Sequence, residues 1–199
     1  MLKSDDMLER SRACSALPSL VKDTLTRGKL LNEQTLKTVT GSCRVTADDR
    51  IKLQSVQCLA LLATHDGVPA LIVDAGAVGD IRELLEDPHK LVVVAALKIL
   101  TKLATDASAY SVLADTLPLP PMIRHAGNYD EHLTPAAVTA ILALAQSGSA
   151  TLRRQVEIAR GSLLSIFEGI AQQTKSMTLR QVGRDAKRIL DELLPPVNR

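Results

Sequence analysis

Aromatic residues are nearly missing from this chain. Its 199 residues include no Trp, one Phe (Phe167) and two Tyr (Tyr110 and Tyr129). β-Sandwiches and barrels fill their interiors with aromatic and β-branched cross-strand pairs, so that class is disfavoured. Cysteine is scarce too: Cys14, Cys43 and Cys58 are odd in number and show no C-x-x-C spacing. That argues against a disulfide framework or a zinc module and leaves reduced, buried thiols as the expectation. Blocks of like charge are also lacking, the 24 basic and 22 acidic residues giving a net charge of +2. A nucleic-acid binder carries a basic stripe, and a single-strand binder adds stacking aromatics, so nucleic acid is not an expected partner. The best apolar stretch, Ala136 to Ala145, is about half the length of a bilayer span. Met1 to Arg12 is charged and has no apolar core of the kind a secretory signal needs. Together these absences point to a soluble cytoplasmic protein without membrane insertion, unless the chain is cut from something larger.

What the chain does have is aliphatic residues, 46% hydrophobic in all, enough for a sizeable core without staples. Their order repeats. Val56-Gln57-Cys58-Leu59-Ala60-Leu61-Leu62-Ala63 recurs as Leu97-Lys98-Ile99-Leu100-Thr101-Lys102-Leu103-Ala104 and again as Val138-Thr139-Ala140-Ile141-Leu142-Ala143-Leu144-Ala145, each step being 41 residues (62 to 103, 103 to 144). A gap-free period in this range marks stacked helical units, each burying its apolar face against its neighbours. Five columns stay small or apolar through all three copies: Ser55/Ala96/Ala137, Val56/Leu97/Val138, Leu59/Leu100/Ile141, Leu62/Leu103/Leu144 and Ala63/Ala104/Ala145. Within a copy they fall at i, i+1, i+4, i+7 and i+8, which is one face of an α-helix. The small columns let helices approach closely.

Start signals repeat with the same step. Thr46 and Asp87 can each accept a hydrogen bond from a first helical turn, and Pro88 suits the first helical position. In the third copy Asn128 is the matching cap, but Pro135 would then lie inside the helix. The helix is therefore expected to open at Thr134-Pro135, leaving 129 to 133 as a loop. A shorter unit precedes each long helix, at 71–85, 112–124 and 155–167. Gly161 lies 85 residues after Gly76 (161 − 76), so the last repeat carries about three extra residues, placed at Gln146 to Ser149. The last helix is expected from about Thr178 to Leu194, with Leu179, Val182, Ala186, Leu190 and Leu193 as its apolar stripe and Pro195-Pro196 as its stop.

This three-helix pattern resembles the armadillo repeat, with HEAT repeats as its near relative. The resemblance is strongest at Val73-Asp74-Ala75-Gly76-Ala77-Val78 followed by Ile81 and Leu84-Leu85. Ala16-Leu17-Pro18-Ser19-Leu20-Val21 and Leu119-Pro120-Pro121-Met122 look like the same entry to a second helix. It covers 67–194 well and 46–66 in part. The resemblance implies an all-α, right-handed superhelical solenoid of about three to four repeats, in which third helices line a concave groove for partners. The expected organisation is one armadillo-like domain over 1–199. Residues 1–45 form an irregular N-terminal helical cap and 46–66 the third helix of a partial repeat. Residues 67–108, 109–150 and 151–194 are repeats, and 195–199 a tail.

Armadillo proteins of the nuclear-import adaptor type carry a Trp and an Asn one turn apart on each third helix. Here the Trp column reads Gln57, Lys98, Thr139 and the Asn column Leu61, Lys102, Ala143. Every position departs from that pattern, so reading of nuclear signals is not implied. The six residues remain the candidate partner-binding positions, because i and i+4 share a helix face and stacking builds the faces into a row. Lys98 and Lys102 would suit an acidic or phosphorylated segment, although paired lysines also arise on solvated faces with no function.

Signals for chemistry are weak. His125, Asp130, Glu131 and His132 match no ligand spacing, and no metal or cofactor is expected. Arg27-Gly28-Lys29 lacks both the glycine-rich lead and the Ser/Thr of a phosphate-binding loop. Thr64-His65-Asp66-Gly67 reads as a helix end, and His65 near Cys43 or Cys58 has no nucleophile context. The chain is expected to be no enzyme. The leading function is a non-enzymatic scaffold that binds a partner protein or peptide in its concave groove, within a cytoskeletal or trafficking assembly; a fragment of a larger cytoskeletal or trafficking protein is one alternative. The other alternative rests on likeness to the short armadillo proteins that clasp an Hsp70 nucleotide-binding domain and eject nucleotide, which four-repeat size fits.

Overall fold

In a computed structural model of the protein, residues 6–20, 31–45, 49–116 and 118–195 are described. The expected cap Thr46, the Arg27-Gly28-Lys29 segment and Pro196 lie outside them. The described residues form α-helices and short 3-10 turns and contain no β-strand. By compactness the chain divides into two units, Met1–Leu103 and Ala104–Arg199.

The first unit holds α1 (Met7–Leu20), α2 (Glu33–Val45), α3 (Asp49–Leu62), α4 (Val68–Asp74), α5 (Val78–Glu83) with a 3-10 turn at Leu84–Glu86, and α6 (Lys90–Leu103). Helix α3 is its centre and packs against α1, α2 and α6. The matched columns account for this. Ser55, Val56, Leu59 and Leu62 on α3, and Ala96, Leu97, Leu100 and Leu103 on α6, are all buried. Between α4 and α5 the chain turns through Gly76 at φ +70°. Gly76 N–H donates to Val73 O (2.8 Å) and Ala77 N–H to Ile72 O (3.1 Å), so the last carbonyls of α4 are satisfied by a left-handed cap that glycine adopts without strain.

Two long-range links tie this unit. Cys14 Sγ on α1 lies 3.6 Å from Ser55 Oγ on α3, 41 positions apart in sequence. The repeat step therefore extends one copy further back than the N-terminal cap suggested, and α1 stands to α3 as a third helix. Ala16-Leu17-Pro18 falls inside α1 and does not open a second helix, because the register set by Cys14 and Ser55 makes this segment the body of a third helix. The other expected entry is met, since Leu119 to Met122 opens a helix in the second unit. The second link is Lys52, which donates to Asp87 Oδ2 at 2.8 Å with both side chains largely buried (16% and 8% exposed). Asp87 Oδ1 accepts from His89 N–H at 2.8 Å, a bond ahead of the helix and not the expected cap on its first turn. The helix proper begins at Lys90, two residues later than Pro88, because Asp87 closes a turn over Pro88 and His89 first.

The second unit holds a 3-10 turn (Ala107–Ala109) leading into α7 (Tyr110–Thr116), then α8 (Leu119–Ala126), α9 (Leu133–Gln146), α10 (Ala150–Ile158), α11 (Arg160–Gln173) and α12 (Met177–Leu193). Helix α9 packs on α8, α10 and α12, and its Ala137, Val138, Ile141, Leu144 and Ala145 are buried as the columns require. Asp130 Oδ1, not Asn128, caps α9: it accepts N–H from His132 and Leu133, both at 3.0 Å. Pro135 thus sits in the first turn, where its missing donor costs little. The 41-residue step reappears between first helices, where Gln155 Nε2 donates to Ala114 O at 3.1 Å. That unaltered step spans Gln146 to Ser149, so the three extra residues expected there do not lie in this loop; it is held by Tyr110, whose hydroxyl accepts from Gly148 N–H at 3.1 Å.

Helix α12 crosses α11 so closely that a Cβ at Gly183 would lie 2.7 Å from both Phe167 O and Ala171 N. Its buried face is Leu179, Gly183, Ala186 and Leu190, with Val182 and Leu193 half-buried. The expected stripe lacked Gly183, since a missing side chain contributes nothing to a hydrophobic pattern. Arg160 clamps the far end, donating from Nε to Leu194 O (2.9 Å) and from Nη2 to Asp191 Oδ1 (2.5 Å).

Two outcomes are expected from this packing. Leu100 is 1% exposed, and Leu100→Ala is expected to lower unfolding free energy by about 2–5 kcal/mol in urea titration, through the cavity it leaves. The bond from Lys52 to Asp87 raises the lysine pKa above its usual value, against an opposing burial effect. Stability from a raised lysine is fully present below its unfolded pKa and is lost as pH rises through the folded one. Between about pH 9 and about pH 12 the wild type should therefore lose more stability than Lys52→Met, compared by denaturant melts at each pH.

Candidate functional site

Third helices present their outer faces by the same geometry that buries their inner ones. On α3 the column i+1 from Val56 and its neighbour one turn on are Gln57 and Leu61; on α6 they are Lys98 and Lys102. All four are exposed, and Leu61 is an apolar side chain with 55% of its surface in water. In the second unit Thr139 on α9 is exposed, with its hydroxyl donating to Pro135 O at 2.8 Å. Ala143 departs from the expected row: it is 7% exposed. A methyl group stays close to the helix axis, and α8, α10 and α12 pack around α9, so this position offers no surface to a partner.

More residues share the face of the first unit than the sequence reading named. Leu20 on α1 (50% exposed) stands 41 before Leu61, and Leu91 on α6 (45% exposed) stands 41 after Arg50, itself exposed on α3. The signal that could have found them is the repeat step itself, carried to exposed columns as well as buried ones. Helix α6 contains no Asp or Glu, and on α3 Asp49 alone is acidic, engaged by Lys52 at 3.3 Å. Arg50, Lys98 and Lys102 are exposed basic side chains on the helices that carry Leu61 and Leu91.

Cys14, Cys43 and Cys58 are free and buried on α1, α2 and α3. Burial pushes the Cys43 thiol well up, and its hydrogen bond with Cys14 followed by burial does the same for Cys58. A thiol is nucleophilic only as thiolate, so Cys43 and Cys58 are poor nucleophiles near neutral pH. No group of three or more His, Cys, Asp or Glu is arranged to hold a metal ion among the described residues; Asp130, one of the four residues weighed for that role, is spent on capping α9. Among the same residues no helix is long and apolar enough to cross a membrane.

Neither a protein-family model nor a curated protein matches the sequence. Solved structures do match. One is a computationally designed armadillo repeat protein for modular peptide recognition, with a TM-score of 0.79 at 18% identity, over 94% of this chain and 78% of that one. Another is a designed armadillo repeat protein in complex with the peptide (KR)4, with a TM-score of 0.69 at 18% identity, covering 94% and 95%. A third comes from work on the phosphorylation switch between cadherin and β-catenin, with a TM-score of 0.74 at 15% identity, over 98% of this chain and 36% of that one. The described residues have the all-α fold of armadillo repeat proteins.

Native protein is expected to show no reaction with Ellman's reagent at about pH 8, and three thiols should react once denaturant is added. Fast reaction of any thiol in the native state would mean that α1 leaves α3 readily.

Proposed function

We propose that the chain is a non-enzymatic interaction scaffold that binds a segment of another protein on the third-helix face of its first unit. The observation that carries this reading is the company that face keeps. Gln57, Leu61, Lys98 and Lys102, with Arg50, Leu20 and Leu91 on the same helices, combine exposed leucines with exposed basic side chains. Exposed leucines near polar and charged side chains suit a protein partner. Thr139 offers a further polar position on the second unit.

The neighbours support binding in general and differ in particulars. One designed relative holds (KR)4; such a basic peptide would meet like charges at Lys98 and Lys102 here. The partner of this chain is accordingly a protein segment with carboxylates or phosphates beside apolar residues. Three reduced thiols fit a reducing compartment such as the cytoplasm.

Fluorescence anisotropy with labelled polyglutamate and polylysine of about 20 residues tests the charge preference. Polyglutamate should bind, release as salt rises from about 0.05 to about 0.5 M, and lose about tenfold in affinity on Lys98→Glu with Lys102→Glu. Both lysines are exposed, so the double variant should keep its melting temperature. Equal affinity of wild type and variant, without salt dependence, overturns the reading.

A further inference from the structure

We infer that Cys14 and Cys58 form a redox latch, which hydrogen peroxide closes by joining them in a disulfide that fastens α1 to α3. Three helices of the first unit bring their thiols into its buried interior. Within that interior, geometry selects the pair. Cys14 Sγ on α1 lies 3.6 Å from Ser55 Oγ on α3. Cys58 stands three residues on from Ser55, on the same buried face of α3, and its thiol is hydrogen-bonded to Cys14. Cys43 on α2 instead donates from Sγ to Val39 O of its own helix at 3.3 Å. Cys14 and Cys58 are thus the two sulfurs in place to join. Ser55 beside them is small enough for α1 and α3 to pack closely, as a disulfide between helices requires.

While α1 is seated the pair is inert. The bond to Cys14, and then burial, hold the Cys58 thiol protonated, and a protonated thiol does not attack. Reaction therefore needs α1 to lift from α3, its main contact, in a local opening of the fold. Once α1 lifts, one of the two sulfurs attacks a peroxide oxygen as thiolate. The O–O bond breaks, the thiol proton leaves with the departing oxygen as water, and a sulfenic acid remains. When α1 reseats, the second sulfur attacks the first. The S–O bond breaks, and the hydroxyl leaves as water with the second thiol proton. Two thiols lose two electrons together, and hydrogen peroxide is reduced to two waters. The disulfide then closes the chain from 14 to 58 and shuts the opening through which it formed.

The test uses the full chain, reduced and then freed of reductant. It is held with about 0.5 mM hydrogen peroxide and sampled over about 24 h. Samples are denatured in an alkylating agent, digested without reductant and read by mass spectrometry. The Cys14 peptide should be found joined to the Cys58 peptide within single chains, with Cys43 recovered alkylated. The melting temperature should rise by at least about 3 °C and fall back on adding dithiothreitol. Cys43→Ser should form the same link, and Cys58→Ser should form none. The wild-type digest decides the matter even where a variant folds poorly. A link that uses Cys43, links between chains alone, sulfinic acid at Cys14 or Cys58 in place of a link, or three thiols still alkylated at the last sample would each overturn the latch.

Discussion

Everything in this protein depends on helices that cannot bury their apolar faces alone. Leu59 and Leu100 are nearly fully buried only because α3 and α6 lie side by side, and Ser55 and Ala96 are small enough to allow it. Burying a leucine contributes about 1.5–3 kcal/mol, so losing one shared interface forfeits several such terms together. The second unit follows the same rule through Ala137 and Ile141 on α9 and Gly183 on α12, where backbone comes within 2.7 Å of where a Cβ would stand. Aliphatic side chains fill most of the core, and Phe167 on α11 is fully buried among them.

The same helices that supply the core supply the binding face. A face that touches neighbours on one side is held rigidly on the other, so its side chains are displayed without a loop to order. That lowers the entropic cost of binding and places Lys98 and Lys102 at a set separation. Polar groups elsewhere serve architecture: Lys52 and Asp87 join α3 to the start of α6, Asp130 caps α9, and Arg160 closes the end of α12.

The core was legible because helical burial repeats with the chain. Each of the five columns named from sequence is buried in all three copies, since a 41-residue step maps equivalent positions onto equivalent neighbours. Helix starts were less legible. Capping is one side chain's geometry, and Asp130 reaches the first turn of α9 where Asn128 was the residue in register. The N-terminal segment was misplaced because a proline beside Leu17 resembles a helix entry, whereas the contact of Cys14 with Ser55 shows that it runs inside α1.

For the candidate site the division is sharper. The sequence by itself determined the class of fold, the phase of each third helix and hence that Gln57, Leu61, Lys98, Lys102 and Thr139 would point outward, because phase follows from 3.6 residues per turn and the buried columns alone. Tertiary structure alone decided that Ala143 is covered and that Asp87 is drawn to Lys52. Exposure and pairing depend on side chains brought in from positions tens of residues away, and on how far each side chain reaches past its own helix; neither quantity is carried by a periodic pattern.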